Sequence, residues 1–195
     1  MRSATTGALS GYRVLDLCDE RGLFCGRILA DLGADVVQVE TPGGSPARRQ
    51  GPFCQDKPHP EGSLFWYAYA ANKRSITLDL TTPEGQELLR SLVPTAHFLI
   101  ESFGPGYMDS LGLGYPALSQ VSPGLIMASI SAFGDSGPYR GFRGEDIVLQ
   151  AMGGIMYPTG EAERPPVRIS FPQAYLNAAG EAAVGCLLAH THRQR

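Results

Sequence analysis

Gly11-Tyr12-Arg13-Val14-Leu15-Asp16-Leu17 opens the stretch that decides the fold, and Gly33-Ala34-Asp35-Val36-Val37-Gln38-Val39-Glu40 closes it. Val14 to Leu17 is a short apolar run of strand type. Phe24, Ile28 and Leu32 recur four residues apart and mark one face of a helix. Gly33 stops that helix by permitting a left-handed backbone. Val36, Val37 and Val39 form a second strand. Strand, helix and strand in this order predict parallel pairing of Arg13–Leu17 with Val36–Val39 through a right-handed crossover. The unit alone names no ligand. The turn Asp19-Glu20-Arg21-Gly22-Leu23-Phe24 holds one glycine, where a dinucleotide fingerprint needs three. Asp19 and Glu20 put negative charge where a pyrophosphate would sit, and they suit the dipole at the helix start, so capping is the expected role.

Outward from this unit, the pattern repeats. Ser75 to Leu80 alternates as a strand, with Ile76, Leu78 and Leu80 on one face. A helix follows through Leu88, Leu89 and Leu92, capped either by Thr82 with Pro83 in the first turn or by Thr81 with Glu84. Ala96 to Ile100 and Leu125 to Ile130 are further strands. Helical turns are expected near Tyr107 to Leu111, over Pro116 to Val121 and over Gly144 to Gly153. A long helix from Pro172 to His190 places Ala178, Ala182 and Cys186 at four-residue spacing. At least four strands alternating with helices define an α/β class with a doubly wound, mostly parallel, Rossmann-like sheet. Ligands in such sheets bind outside the carboxyl ends of the strands, which draws attention to Glu101-Ser102-Phe103-Gly104-Pro105-Gly106.

Residues 1–10 read as a loose polar arm, and 11–195 as one domain. Residues 41–63 contain five prolines and four glycines and form a long loop of the length that is usually functional or disordered. Phe65, Trp66, Tyr67 and Tyr69 form an aromatic cluster suited to a core or a subunit contact. The chain has 195 residues, with 16 basic and 19 acidic side chains and a net charge of -3, a balance that favours neither nucleic acid nor an anionic membrane as partner. No apolar run reaches transmembrane length and no signal peptide is visible. Cys18, Cys25, Cys54 and Cys186 lack paired metal-ligand spacing. Reduced thiols in the cytoplasm and no metal are therefore expected.

These segments, in this order, resemble the amino-terminal half of the class III coenzyme A transferases, the group of formyl-coenzyme A transferase, carnitine coenzyme A transferase and 2-methylacyl-coenzyme A racemase. The likeness runs through Arg13 to Leu17, Leu29 to Glu40, Asn72 to Leu80 with Thr82-Pro83-Glu84-Gly85, Glu101 to Gly106, Leu111 to Tyr115, Ser129 to Tyr139, Gly144 to Gly154 and the helix from Ala174. It implies a domain that binds coenzyme A or an acyl-coenzyme A as substrate, with no permanently bound cofactor. It also implies a homodimer of threaded chains, or a carboxyl-terminal half that completes the fold.

The resemblance assigns coenzyme contacts to Lys73, Arg74, Ser102, Phe103 and Gly22, with Lys73 and Arg74 beside the phosphates. Ser102 stands where the family has asparagine, and Ser110 where one branch has arginine. The family's catalytic aspartate precedes the helix that begins near Ala174, and the residue in its place is Tyr175. A phenol with a pKa near ~10 cannot carry the family's anhydride, so no catalytic residue is assigned. Asp146, at another loop-to-helix junction of the same face, is the nearest alternative. Two functions follow. One is a coenzyme A transferase acting as half of a fused or multi-subunit enzyme. The other is a catalytically silent domain that binds coenzyme A or supports a partner. The isolated chain is expected to lack acyl transfer through an aspartyl intermediate.

Overall fold

The computed structural model describes residues 7–195. Five strands, β1 (Arg13–Leu17), β2 (Asp35–Glu40), β3 (Arg74–Thr77), β4 (Phe98–Glu101) and β5 (Ile126–Ser129), form one sheet in the order β3-β2-β1-β4-β5. Every pair is parallel, with Val14 opposite Val36 and Phe98, as the opening unit predicts. Seven α-helices join them: α1 (Leu23–Asp31), α2 (Leu64–Ala70), α3 (Pro83–Leu92), α4 (Tyr107–Ser110), α5 (Tyr115–Val121), α6 (Asp146–Met152) and α7 (Ala174–Arg193).

Strand alternation divides the core in two. Val14, Val36, Phe98 and Ile100 point to the face covered by α1 and α7, where they meet Cys25, Leu29, Ala179, Ala183 and Cys186. Leu15, Leu17, Val37, Val39 and Leu99 point to the other face, covered by α3 and α5 through Leu89 and Leu118. Both faces are apolar because helices cover both.

Several local expectations are refined. Gly33 does end α1, with φ +100° and a paired closure from Gly33 N to Ala30 O and from Ala34 N to Leu29 O. The buried face of α1 is Leu23, Cys25, Gly26, Leu29 and Ala30, while Phe24, Ile28 and Leu32 form its half-buried flank. On α7 the buried positions are Ala179, Ala183 and Cys186, one residue on from the expected Ala178 and Ala182. Thr82 is the cap of α3, accepting from Gly85 N at 3.1 Å. Of the expected arm, residues 1–6 lie outside the described residues. Leu9 belongs to the core, its N–H bonded to Leu32 O at 2.9 Å, so the domain begins earlier than Gly11. Among the described residues no helix is long and apolar enough to cross a membrane.

One polar group interrupts the α1 face of the sheet. Asp16 on β1 is fully buried, and its Oδ2 lies 2.7 Å from Lys73 Nζ, itself 1% exposed. Lys73 donates further to Leu23 O at 2.8 Å and to Gln38 Oε1 at 3.1 Å, so all three of its N–H groups are engaged. Asp16 Oδ1 accepts from Cys18 N, and Gln38 Nε2 donates to Cys18 O. A Cβ on Gly26 would overlap the Asp16 carboxylate, so α1 rides directly on this pair. Removing one charge leaves the other buried without a partner, which costs about 3–5 kcal/mol. Lys73→Met should therefore lower unfolding stability by about that amount in urea melts, and Asp16→Leu combined with Lys73→Met should lose less than Lys73→Met alone. A double variant as unstable as the sum of the singles would contradict the pairing.

Candidate active site

The carboxyl ends of the strands open into two adjoining clefts. The larger, about 570 Å³, is walled by Asp19, Glu20 and Arg21 after β1, by Phe103, Gly104 and Pro105 after β4, by Arg140, Arg143, Gly144, Glu145 and Asp146, and by Tyr175 and Leu176 of α7. The smaller, about 160 Å³ and largely apolar, lies over the ends of β1 and β2 between Leu17, Val39, Pro46, Leu78 and Leu80. Asp19 and Phe103 line both.

Charge pairs hold these loops. Asp19 takes Arg21 in a two-pronged pair, Nε to Oδ1 at 3.0 Å and Nη2 to Oδ2 at 2.5 Å, and accepts from Arg21 N as well. Ser102 Oγ donates to Asp19 Oδ1 at 2.8 Å and accepts from Asp19 N at 2.9 Å, tying the β1 loop to the β4 loop. The expected capping role of Asp19 and Glu20 is thus corrected: α1 has no side-chain cap and no acid in its first turn, because Asp19 is turned toward Arg21 and Ser102. The Asp19 pair holds the Arg21 guanidinium above its ordinary pKa despite burial. Glu20 shifts upward, first from burial and then from the charge of Asp19. Its Oε2 is shielded from solvent and has no hydrogen-bond partner.

At the other end of the larger cleft, Asp146 Oδ1 accepts from Ala174 N at 2.9 Å and so fixes the start of α7. Its Oδ2 pairs with Gln150 Nε2, whose own Oε1 accepts from Ile169 N. Tyr175 Oη donates to Gly144 O at 2.7 Å. Burial raises the phenol's pKa and outweighs the nearby Arg21, so Tyr175 stays protonated at neutral pH.

The sequence-assigned residues divide. Phe103 and Tyr175 are at the clefts. Ser102 is buried, with its hydroxyl committed to Asp19, so it positions the site and does not line it. Gly22 lies beneath, where a Cβ would collide with Cys18 Sγ. Lys73 and Arg74 line neither cleft. Lys73 is consumed by Asp16, and Arg74 points to the amino edge, where its Nε and Nη2 reach Asp35 at 2.8 and 2.6 Å beside Arg13. The sequence reading missed Arg140 and Arg143 in the cavity wall; both come from the glycine-rich turns after β5, and no periodicity marks them. Among the described residues no cluster of metal-ligating side chains appears.

The clefts thus lie at the carboxyl edge of a doubly wound parallel sheet, bounded by the β1–α1 turn, the β4 loop and the start of α7. The chain belongs to CoA-transferase family III, matching it over residues 9–195. It is 45% identical to succinyl-CoA–D-citramalate CoA-transferase of Chloroflexus aurantiacus over 96% of this chain and 46% of that protein. It is 39% identical to the BbsE subunit of succinyl-CoA:(R)-benzylsuccinate CoA-transferase of Thauera aromatica, over 95% of this chain and 45% of the relative. The crystal structure of a CAIB/BAIF family protein from Brucella suis superposes with a TM-score of 0.89 at 38% identity, covering 97% of this chain and 50% of that one. The chain spans about half the length of the curated relatives it matches.

A pH test follows from the rim of the smaller cleft. Glu40, 5% exposed at the end of β2, is disfavoured as an anion by burial. Arg48 at 2.6 and 2.8 Å, Ser75 Oγ at 2.5 Å and Ser45 N at 2.9 Å more than offset this. Its pKa falls from 4.5 to about 2. A lowered carboxylate contributes stability that is complete above the unfolded value and lost as pH falls through the folded one. Stability should drop between pH 4.5 and about 2, and Glu40→Gln should flatten that part of the curve in denaturant titrations. An unchanged slope in the variant would remove Glu40 as the cause.

Proposed function

We propose that this chain is the coenzyme A-binding half of a CoA-transferase, holding an acyl-coenzyme A along the carboxyl edge of the sheet. The adenosine end lies in the apolar cleft over β1 and β2, and the acyl thioester reaches the larger cavity below Tyr175. The observation that carries this reading is the meeting of the two clefts at Asp19 and Phe103, which gives one long ligand a continuous path from an apolar end to a charged one. The names of the two curated relatives support succinyl-coenzyme A as donor and a carboxylic acid as acceptor. A homodimer or a carboxyl-terminal half completes the cavity. The four unpaired cysteines support a reducing, cytoplasmic setting.

Phe103, stacked on Tyr107 with ring centroids 4.8 Å apart, is the ligand-contacting aromatic of this reading. Ser102 and Gly22 shape the turn beneath it. Lys73 and Arg74 act on the fold and not on phosphate. A second reading, a domain that binds coenzyme A without chemistry, is favoured by one observation: the phenol of Tyr175 is bonded to Gly144 O.

Calorimetric titration of coenzyme A and succinyl-coenzyme A into the chain tests the proposal. Phe103→Ala should weaken binding about tenfold, the loss of one aromatic contact of ~1.5 kcal/mol. Arg74→Ala should leave affinity within about twofold, since its partner is Asp35. No binding of either ligand would refute the function. A tenfold loss with Arg74→Ala would restore the phosphate role.

A further inference from the structure

The long helix α7 begins at the larger cavity and ends at the opposite, amino edge of the sheet. Arg193 fastens its last turn there. Arg193 Nη1 donates to the carbonyls of His97 and Gly124, which lie just ahead of β4 and β5. Its Nη2 lies 2.9 Å from His190 Nδ1, and its guanidinium 5.6 Å from the Phe98 ring centroid. Gln194 Nε2 donates to Tyr12 Oη at 3.1 Å. The Tyr12 ring stands edge-on to both histidines, with centroids 5.0 Å from His97 and 4.4 Å from His190. His97 Nδ1 accepts from Arg13 N at 3.1 Å, which ties the start of β1 to the residue before β4.

These bonds fix the protonation of both rings. A guanidinium only donates, and so does a backbone nitrogen, so each Nδ1 is an acceptor and each imidazole is neutral with its proton on Nε2. A proton added at either Nδ1 would set one N–H against another. No anion compensates. His97 faces Tyr12 and Arg13 from β1 and its approach, and His190 and Arg193 from α7. His190 faces Arg193, Tyr12 and Phe98. The Asp35 carboxylate on this edge is taken by Arg13 and Arg74. The dipole at the end of α7 favours a cation, but Arg193 already supplies one.

We propose that His97 and His190 form an acid-sensitive latch, which holds the last turn of α7 against the sheet while both rings are neutral and releases it when they are protonated. Burial and then Arg193 lower the pKa of both rings from the ordinary 6.5, and His190 and Arg13 lower His97 further. A histidine lowered in this way contributes stability that is complete above 6.5 and lost as pH falls from there through the folded value. The latch lies at the far edge from the clefts and is independent of the coenzyme A reading.

Amide hydrogen exchange of the full chain tests this, read by mass spectrometry on peptides covering the end of α7 and corrected for the intrinsic pH dependence of exchange. Protection of the last turn should fall at least about tenfold between about pH 7.5 and about pH 5.5. In the double variant His97→Asn, His190→Asn, the amide oxygens can accept in place of Nδ1 without titrating, and protection should be equal at the two pH values. Glu20 and Glu101 are also raised by burial, but both stand at the carboxyl edge and both remain in the double variant. A fall that persists in the double variant therefore overturns the latch, as does constant protection in the unsubstituted chain. If the double variant fails to fold, NMR titration of the unsubstituted chain decides. Both rings should titrate below 6.5 with the neutral-state proton on Nε2, and either ring titrating at or above 6.5 overturns the proposal.

Discussion

The contact between Asp16 and Lys73 constrains more of this molecule than any other. Two full charges sit between a parallel sheet and its covering helix, where an isolated ion would cost several kcal/mol. They are tolerated because every donor of Lys73 has an acceptor and the carboxylate also takes a backbone N–H. The geometry leaves no slack. Lys73 reaches from the corner before β3 to the first residue of α1, across β2, and Gly26 lets α1 descend onto it. β3, β2, β1 and α1 are thereby locked into one arrangement. The turn between β1 and α1 inherits that rigidity, and it is the turn that carries Asp19, Glu20 and Arg21 into the cavity.

The carboxyl edge is organised by the same means at lower cost. Glu40 at the end of β2 gathers Arg48, Ser45 and Ser75, and Arg48 lies 4.0 Å above the Trp66 ring while also reaching Glu61. This draws the proline-rich segment 41–63 down against α2, where Ser63 caps the helix by accepting from Trp66 N. On the other side Asp19, Arg21 and Ser102 pin the β1 loop to the β4 loop. Apolar packing fills both faces of the sheet but stops at its edge. The loops around the clefts are instead held by partly buried ion pairs, which fix position without filling space, and open volume survives between them.

That division explains what was legible in the sequence. Strands and helices announce themselves by apolar period, and the parallel order of β1 and β2 followed from the length of their connection. The phase of a helix is harder to read: α1 and α7 are covered on more than one side, so the flank carrying Phe24 and Ile28 looks as apolar as the buried face. Lys73 shows what a local pattern leaves open. A cation at a strand start beside an arginine has the same local pattern whether it faces a phosphate or a buried aspartate 57 residues away. The capping assignment of Asp19 and Glu20 failed similarly, since helix-dipole logic is local while Ser102 lies 83 residues on. The proline and small residues around Tyr175 made its place at the start of α7 legible, but its partner Gly144 could not be seen.

The place of Tyr175 in that edge bears on what the site can do. Its hydroxyl fastens α7 to the loop before α6 through Gly144 O, and Asp146 two residues later fastens the same loop to Ala174 N. The two bonds form a clasp of one polarity: Tyr175 and Ala174 of α7 donate, and Gly144 O and the Asp146 carboxylate accept. Gly144 can occupy that position because it has no side chain, as a Cβ would collide with Ala132 and Leu149. An aspartate at 175 would be shorter and, when ionised, would offer no donor. Gly144 O would lose its partner and face a negative charge instead. Tyrosine here is part of the scaffold that shapes the cavity.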